Sequence, residues 1–353
     1  MQFMKMQGLM QMSNLGQFTH GNDAYRYTNE IKADFSTNTW YLGPHPKVIQ
    51  LLQAEIDCVA NYPQLHGESL TEQLADNWHV SSDQIVLCNG TAEAIYLIAQ
   101  AYQKASSRIV TPTFSEYEHA CQIFEHHISY CGAGFIAESM NTPEGLMWLC
   151  NPNNPTGQVF GRDVLLSIIK QNPQTLFVID EAYADFCMEE VTLSAYIGKY
   201  KNLLILKSMT KNYCLPGLRL GYVMGHQSVV QKIALYRPPW SVNSLALKAG
   251  EFSLKNPLIS EDSLLQYLSL SRELMLELNT IDQVEVQGSS TGFFLLKTPM
   301  KAAELKHLLV EKYGLLIRDA SNFRTLSEYH IRVASLTRAS NALLVNAFNE
   351  IFA

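Results

Sequence analysis

A lysine set among hydroxyl groups and followed by an arginine is the pattern in this chain that best predicts chemistry. Lys211 follows the apolar run 203–206, where desolvation can lower the pKa of its amine and let it form a Schiff base with an aldehyde. Ser208, Thr210 and Arg219 lie around it, and two hydroxyls with a guanidinium suit a phosphate dianion. An aldehyde with a phosphate describes pyridoxal phosphate. An isolated Ser-x-x-Lys is more often an exposed lysine after a buried strand.

A junction between a strand and a helix predicts a second part of the phosphate site. The apolar run 85–88 leads into Asn89-Gly90-Thr91-Ala92-Glu93 and then into a helical pattern through residue 101. Gly90 lets the backbone approach a ligand, Thr91 can cap the helix, and the free N–H groups of the first turn face an anion. Many α/β proteins turn in this way without a ligand.

Polar and aromatic residues follow three other predicted strands. Asp180 ends the apolar run 176–179, at the edge where open α/β sheets hold ligands, and its carboxylate can keep a pyridinium nitrogen protonated. Phe114 follows the run 108–112, where it could stack on a flat ring or belong to the core. Asn154 lies in a turn stiffened by two prolines and a glycine, which can aim its amide.

The composition limits the kind of protein. A chain of 353 residues with 47% hydrophobic and 17% charged residues can build two domains with substantial cores, and a disordered or fibrous protein is excluded. A net charge of −7 without any Lys/Arg-rich run argues against nucleic-acid and membrane partners and favours small molecules. Seven scattered cysteines predict neither a disulfide framework nor a metal site. Because no segment looks like a signal peptide or a membrane span, we expect a cytoplasmic protein.

The order of elements predicts an α/β fold. Strands that recur with helical stretches between them indicate a mainly parallel sheet with helices on both faces. After Lys211, shorter strands and helices predict a smaller α+β unit, in which Arg318 and Arg332 lie on strands and need a buried partner or an anionic ligand. The predicted strands of this unit are 284–286, 292–296, 315–318 and 330–333, and its predicted helices are 302–313 and 340–352. Two helices are also predicted near the start of the chain, at 48–59 and 69–79. We expect residues 1–48 to form an arm and part of the small domain, residues 49–255 the large domain and residues 256–353 the rest of the small domain.

Four separated motifs together resemble the fold-type-I pyridoxal-phosphate enzymes of the class I/II aminotransferase family. The resemblance spans about residues 30–340. The motifs are Asn89-Gly90-Thr91-Ala92-Glu93, Asn154-Pro155-Thr156-Gly157, Asp180-x-x-Tyr183, and Ser208-x-Thr210-Lys211 with Gly217-Leu218-Arg219.

The resemblance implies a role for each matched residue. Lys211 would hold the cofactor, Asp180 would pair with the ring nitrogen, and Asn154 and Tyr183 would bond the ring hydroxyl while Phe114 stacks on the ring. Arg332 would bind a carboxylate, and Tyr62 would reach the cofactor phosphate of the neighbouring subunit in a homodimer. The phosphate would be held by Gly90, Thr91, Ala92, Ser208, Thr210 and Arg219.

Within the family, the chain resembles both histidinol-phosphate aminotransferases and the threonine-phosphate decarboxylases of cobalamin synthesis. Two departures from the decarboxylase pattern bear on the substrate lid: Asn22 stands where a second glycine is usual, and Tyr41 stands where proline is usual. Four features favour the decarboxylases, namely His20-Gly21, Asp34-Phe35-Ser36-Thr37-Asn38, Pro239-Trp240-Ser241-Val242-Asn243, and Ile317-Arg318-Asp319 with Ser321-Asn322-Phe323 ahead of Ile331-Arg332-Val333-Ala334.

The substrate class follows from the residues left over after the cofactor is held. If His20, Ser36, Asn38, Arg318 and Arg332 clamp a phosphate and a carboxylate, the substrate is a phosphorylated amino acid or amino alcohol. The expected activity is a lyase converting O-phospho-L-threonine to aminopropanol phosphate. The alternatives are an aminotransferase acting on histidinol phosphate and a catalytically silent relative that binds the cofactor only for regulation or folding. His20 alone is also compatible with an ordinary surface turn.

Overall fold

The computed structural model describes residues 21–137, 142 and 144–352. His20, a predicted substrate residue, lies outside the described residues. The strands are β1 (Ala33–Asp34), β2 (Ile85–Cys88), β3 (Ser106–Thr111), β4 (His127–Gly132), β5 (Gly145–Cys150), β6 (Thr175–Asp180), β7 (Leu203–Ser208), β8 (Gly221–Gly225), β9 (Glu285–Val286), β10 (Phe293–Lys297), β11 (Leu315–Leu316), β12 (Arg318–Asp319) and β13 (His330–Ala334).

Helices alternate with the strands along the chain. None of the described helices is long and apolar enough to cross a membrane. The α-helices are α1 (Pro46–Ala54), α2 (Glu68–Trp78), α3 (Gly90–Ala101), α4 (Glu116–Ile123), α5 (Gly134–Ala137), α6 (Arg162–Gln171), α7 (Met209–Asn212), α8 (Gln227–Ala234), α9 (Ser244–Lys255), α10 (Glu261–Leu278), α11 (Ala302–Leu308) and α12 (Arg338–Phe352).

The largest sheet has seven strands in the order β2-β8-β7-β6-β5-β3-β4. Every neighbouring pair from β7 to β4 is parallel, whereas β8 is antiparallel to both β2 and β7. The predicted α/β architecture with a mainly parallel sheet is confirmed. The antiparallel β8 was not predicted, because its apolar run is only three residues long, Tyr222 to Met224, and a glycine stands at each end.

The large sheet is buried on both faces, which explains its continuous apolar strands. Along β7, Leu204 and Leu206 pack in one hydrophobic cluster, while Leu203 and Ile205 pack in a second cluster on the opposite face. Side chains alternate between faces with a period of two, so one strand serves both clusters. The polar residues that end these strands therefore lie at the rim of a rigid sheet.

A four-stranded antiparallel sheet, in the order β12-β13-β10-β9, forms the centre of the C-terminal part. Strand β1 pairs in parallel with β11, and Ala33 and Phe35 are buried in the same cluster as Leu274 and Leu344. The N-terminal segment thus packs with C-terminal elements. The domain boundaries at residues 48 and 255 stay a prediction.

Three predicted elements differ from the structure. The predicted helix 48–59 ends at Ala54 and continues as a 3-10 helix over Ile56–Ala60, and the predicted helix 302–313 turns into a π-helix at Leu309–Tyr313. The predicted strand 315–318 is divided between two sheets, since β11 pairs with β1 and β12 pairs with β13. This division places Arg318 beside Arg332 rather than beside the N-terminal strand.

Candidate active site

A cleft of about 610 Å³ lies at the carboxyl ends of the parallel strands, between the large sheet and the four-stranded sheet. Its size is typical of a small-molecule or cofactor site. It brings together most of the predicted site residues from distant parts of the chain. The predicted residues that line it are Ser36, Asn38, Thr91, Ala92, Phe114, Asn154, Asp180, Tyr183, Thr210, Lys211, Arg219, Arg318 and Arg332.

Lys211 lies on the short helix α7, directly after β7. Burial, together with the positive charges of Arg332 and Arg219, lowers the pKa of Lys211 to about 8, while Asp180 acts in the opposite direction. The Nζ atom lies 5.9 Å from the centre of the Tyr183 ring. A lysine with this pKa carries a neutral, nucleophilic amine in a useful fraction of molecules near pH 7. The predicted effect of desolvation therefore has the expected direction.

Asp180 is held in a buried hydrogen-bond network at the end of β6. The Tyr117 hydroxyl donates to its Oδ2 atom at 2.7 Å, and the Ala182 N–H donates to its Oδ1 atom at 3.0 Å. Burial raises the pKa of Asp180 overall, although these two donors and the nearby Lys211 act in the opposite direction. An aromatic ring nitrogen that carries a proton would give this carboxylate the cationic partner that a buried charge requires.

Asn154 and Tyr183 both line the cleft. The Asn154 Oδ1 atom accepts a hydrogen bond from Arg332 at 2.6 Å, so its amide nitrogen is the end that remains to donate to a ligand. Burial raises the pKa of Tyr183, so its hydroxyl keeps its proton near neutral pH. Two donors in one cleft suit a ring oxygen, the group that the resemblance assigns to them.

The proposed phosphate end is built from the first turn of α3 and from Arg219. Gly90 has a φ of +77°, which favours glycine, and a Cβ atom there would lie 2.5 Å from an Arg219 nitrogen, so a larger residue would displace the guanidinium. Gly90 and Ser208 are not among the residues that line the cleft, but the buried Ser208 hydroxyl contacts the Thr210 hydroxyl at 2.8 Å. Helix N–H groups, hydroxyls and a guanidinium together fit a phosphate.

Arg318 and Arg332 lie directly opposite each other on the antiparallel strands β12 and β13. They are only 4% and 5% exposed. Like charges in this position destabilise a sheet unless something compensates them. Burial lowers the pKa of Arg318 to about 10, and the charge of Arg332 contributes to the shift. The pair is therefore suited to anions that enter the cleft.

The partners of the two arginines differ. Arg332 donates to the Asn154 amide oxygen and to the Ser36 carbonyl oxygen, whereas its buried Nε atom has no hydrogen-bond partner. Arg318 donates to the Asp319 carbonyl oxygen and, at 2.8 Å, to the Asn322 side chain. A buried donor that lacks a protein partner implies a water or a ligand group.

The N-terminal segment supplies the remaining wall of the cleft. Asn38 is 2% exposed and lies against Tyr183, yet neither of its amide atoms has a hydrogen-bond partner of normal length and angle. The Ser36 hydroxyl accepts a hydrogen bond from the Asn22 N–H at 2.9 Å. Asn22 has a φ of +58°, a conformation that glycine and asparagine adopt more readily than other residues. Asn22 can therefore adopt the backbone conformation that a glycine would adopt at this position.

Tyr62 is a predicted cofactor residue that lies away from the cleft of its own chain, whereas Gly90 and Ser208 adjoin residues that line it. Tyr62 is 81% exposed, and its ring packs against Trp240 at 4.8 Å between ring centres.

Asn243, from the same loop as Trp240, caps α9 by accepting a hydrogen bond from the Ala246 N–H at 2.8 Å. Tyr41 stacks on Tyr267 with ring centres 4.7 Å apart.

Sequence reasoning missed two contributors to the site. Tyr117, which holds Asp180, is separated from it by 63 positions, so no local pattern could reveal the contact. The buried ion pair between Glu181 and Lys207, at 2.7 Å, joins the ends of β6 and β7 just beside Asp180 and Ser208. The only sequence signal for it was a charged residue next to each strand end.

Comparison with known proteins identifies the family of the chain. The model of the aminotransferase class I and II family matches residues 30–348. The crystal structure of L-threonine-O-3-phosphate decarboxylase from Porphyromonas gingivalis is 35% identical, with a TM-score of 0.88, over 90% of this chain and 99% of that chain.

Two curated relatives have different activities. The threonine-phosphate decarboxylase of Salmonella typhimurium is 28% identical over 90% of both chains. A histidinol-phosphate aminotransferase of Caldanaerobacter subterraneus subsp. tengcongensis is 31% identical over 82% of this chain and 84% of its own. The extent of the family match, together with a donor set that fits the cofactor, shows that the chain belongs to the aminotransferase class I and II family of pyridoxal-phosphate-dependent enzymes.

Proposed function

We propose that the protein is a carbon-carbon lyase that removes CO2 from O-phospho-L-threonine and leaves (R)-1-aminopropan-2-yl phosphate, for cobalamin biosynthesis. The observation that carries the proposal is the pair of buried arginines, Arg318 and Arg332, opposite each other in the cleft that contains Lys211. Arg219 lies at the other end and accounts for the cofactor phosphate. Two further cations match the two acidic groups of O-phospho-L-threonine. Histidinol phosphate carries only one, but the glutamate that an aminotransferase also binds carries two, so a direct assay has to separate the two activities.

The chemistry requires a fixed orientation of the substrate. The cofactor, when bound, accepts the electron pair that is left when CO2 departs, provided that the breaking bond stands perpendicular to the ring. Arg332 is buried and anchored by Asn154, so it can hold one acidic group of the substrate in a single direction. Arg318, on the neighbouring strand, would then hold the other. Two fixed anions determine which bond at Cα takes the reactive position.

The reaction also needs a proton. When the bond from Cα to the carboxylate breaks, the electron pair returns to Cα together with one proton, so each turnover consumes a proton. The Lys211 Nζ atom, with a pKa of about 8, can carry that proton at neutral pH. Asp180, fixed by Tyr117, would keep the ring nitrogen protonated meanwhile.

The exposed position of Tyr62 supports the proposal of a homodimer. Tyr62 packs on Trp240, and the backbone N–H of Trp240 donates to the backbone carbonyl of Leu65. These three exposed apolar residues therefore lie close together on the surface. Exposed apolar patches often mark protein interfaces, and two-fold dimers are the commonest soluble assemblies. In such a dimer, Tyr62 would complete the phosphate site of the partner subunit.

A direct assay separates the proposal from the aminotransferase alternative, which the 31% identical relative supports. The purified holoenzyme is mixed with O-phospho-L-threonine without a keto acid, and CO2 and phosphorylated amine are measured. A second reaction contains histidinol phosphate with 2-oxoglutarate. We expect CO2 in the first reaction and no glutamate in the second, and the reverse result would establish the aminotransferase.

Threonine without its phosphate is the matched control substrate. Loss of the phosphate leaves one buried arginine without its anion, so kcat/KM should fall roughly 100-fold or more. An unchanged kcat/KM would show that no phosphate clamp exists.

A further inference from the structure

A second cleft, of about 470 Å³, adjoins the active-site cleft and shares Phe114, Ser115 and Phe323 with it. Glu118 and Arg324 line this second cleft, and together with Tyr130 they form a group that we call the clasp. The Arg324 Nε and Nη2 atoms donate to the two Glu118 carboxylate oxygens at 2.9 and 2.5 Å. The Arg324 guanidinium also lies 4.0 Å from the centre of the Tyr130 ring.

The clasp joins the edges of the two main sheets. Glu118 lies on α4 and Tyr130 on β4, the edge strand of the seven-stranded sheet. Arg324 belongs to the loop that follows β12, the edge strand of the four-stranded sheet. A two-bond contact between arginine and carboxylate fixes direction as well as distance. The loop after β12 is thereby tied to the large sheet.

That loop also holds Arg318. The Asn322 side chain accepts a hydrogen bond from the Arg318 Nη2 atom at 2.8 Å. The Phe323 ring centre lies 5.3 Å from the Arg318 guanidinium carbon, and Phe323 is buried against Leu295. Asn322 and Phe323 therefore contact Arg318, and the next residue, Arg324, makes the clasp. A shift of the loop would move the groups that orient Arg318.

Glu118, at the other end of the clasp, is next in sequence to Tyr117, which contacts a residue of the cofactor site. Tyr117 and Glu118 are neighbours in the first turn of α4, and Tyr117 donates to Asp180 at 2.7 Å. Burial raises the pKa of Glu118, but hydrogen bonds from Arg324 and Tyr130 outweigh it and lower the pKa overall. The carboxylate of Glu118 is therefore charged at neutral pH, as the clasp requires.

We propose that Glu118 and Arg324 are positioning residues that hold Arg318, through Asn322 and Phe323, at a fixed place relative to Asp180 and thus set the affinity of the site for the substrate phosphate. The proposal rests on the proposed function in that it assigns a phosphorylated substrate to Arg318. It does not depend on which bond of that substrate breaks. Neither residue of the pair is given a chemical step.

The test measures binding without turnover. The holoenzyme is reduced with borohydride so that the cofactor stays on Lys211, and inorganic phosphate is titrated into it by calorimetry. We expect Arg324→Gln and Glu118→Gln each to raise the dissociation constant of phosphate about fivefold, the effect of losing one partly exposed ion pair. The double variant should be no weaker than either single variant, because the two residues act as one contact. The exchanged pair, Glu118→Arg with Arg324→Glu, should restore most of the affinity.

A matched control is available in the ion pair between Arg338 and Glu273, which contacts neither cleft. Arg338→Gln should leave phosphate binding unchanged. The proposal is overturned if the clasp variants bind phosphate as the parent does, if Arg338→Gln weakens binding equally, or if the parent binds no phosphate. In steady-state assays, the clasp variants should raise KM for the phosphorylated substrate while KM for threonine stays the same.

The two proposals fail in different ways. If the parent releases no CO2 from O-phospho-L-threonine but the clasp variants still weaken phosphate binding, the decarboxylase proposal falls and the clasp stands. If CO2 is released and the clasp variants bind phosphate as the parent does, the decarboxylase proposal stands and Glu118 and Arg324 have only a structural role.

Discussion

The rate at which the cofactor-free protein captures pyridoxal phosphate should reveal the unusual acidity of Lys211. Only the neutral amine attacks an aldehyde, and burial with the nearby Arg332 and Arg219 lowers the pKa of Lys211 to about 8. The neutral fraction then rises roughly 90-fold between about pH 6 and about pH 9 and levels off, whereas an ordinary lysine with a pKa of about 10.4 would still gain nearly tenfold per pH unit there. At about pH 7.5 roughly a quarter of the amine is neutral.

The assay is a stopped-flow absorbance measurement of covalent capture across this pH range. The reaction of the cofactor with N-acetyl-lysine amide, run in parallel, corrects for titration of the cofactor itself. Arg332→Gln should move the midpoint upward, because a nearby positive charge that disfavours the ammonium form is lost. Lys211→Ala should bind cofactor without any adduct that borohydride can trap. A rate that keeps climbing tenfold per pH unit beyond about pH 9.5 would refute the reasoning.

Three further predictions concern the cofactor nitrogen, the substrate anions and the assembly. Asp180→Ala should keep the covalent cofactor but raise the barrier by roughly 3–4 kcal/mol, and a kcat within a few-fold of the parent would make Asp180 structural. Arg332→Ala should raise KM strongly and lower kcat as well, because a loosely held substrate loses its orientation; steady-state kinetics would contradict this if only KM changed. Sedimentation at assay concentration should give a dimer, and a fully active monomer would exclude a role for Tyr62 of the partner subunit in the phosphate site.

The site residues that follow strands of the large sheet could be predicted, because short sequence patterns mark them. Strands β2, β6 and β7 are short apolar runs, and the residues that follow them must lie at one edge of the sheet. The amino-acid sequence alone therefore places Lys211 and Asp180 at the same cleft. The motif residues reinforce this placement through their family resemblance.

The remaining features depend on long-range contacts. Strand β4 is an edge strand with mostly exposed or half-exposed side chains, so its sequence lacks a continuous apolar run. The opposition of Arg318 and Arg332 depends on the register between β12 and β13, which local sequence does not specify. The contact between Arg332 and Asn154 joins residues 178 positions apart. Each of these follows from tertiary packing rather than from a local pattern.

Lys207 and Lys306 are buried and each is paired with a carboxylate, and this pairing bears on which lysine of the chain can react with an aldehyde. The Lys207 ammonium lies 2.7 Å from Glu181 and above the Trp78 ring, and the Lys306 ammonium lies 2.7 Å from both oxygens of Asp23. Lys211 instead shares its cleft with arginines that disfavour its charge. Burial lowers the pKa of Lys211 and the arginines add to the shift, whereas a carboxylate holds each of the other two ammonium groups, so the charge of the neighbours helps to decide which amine reacts.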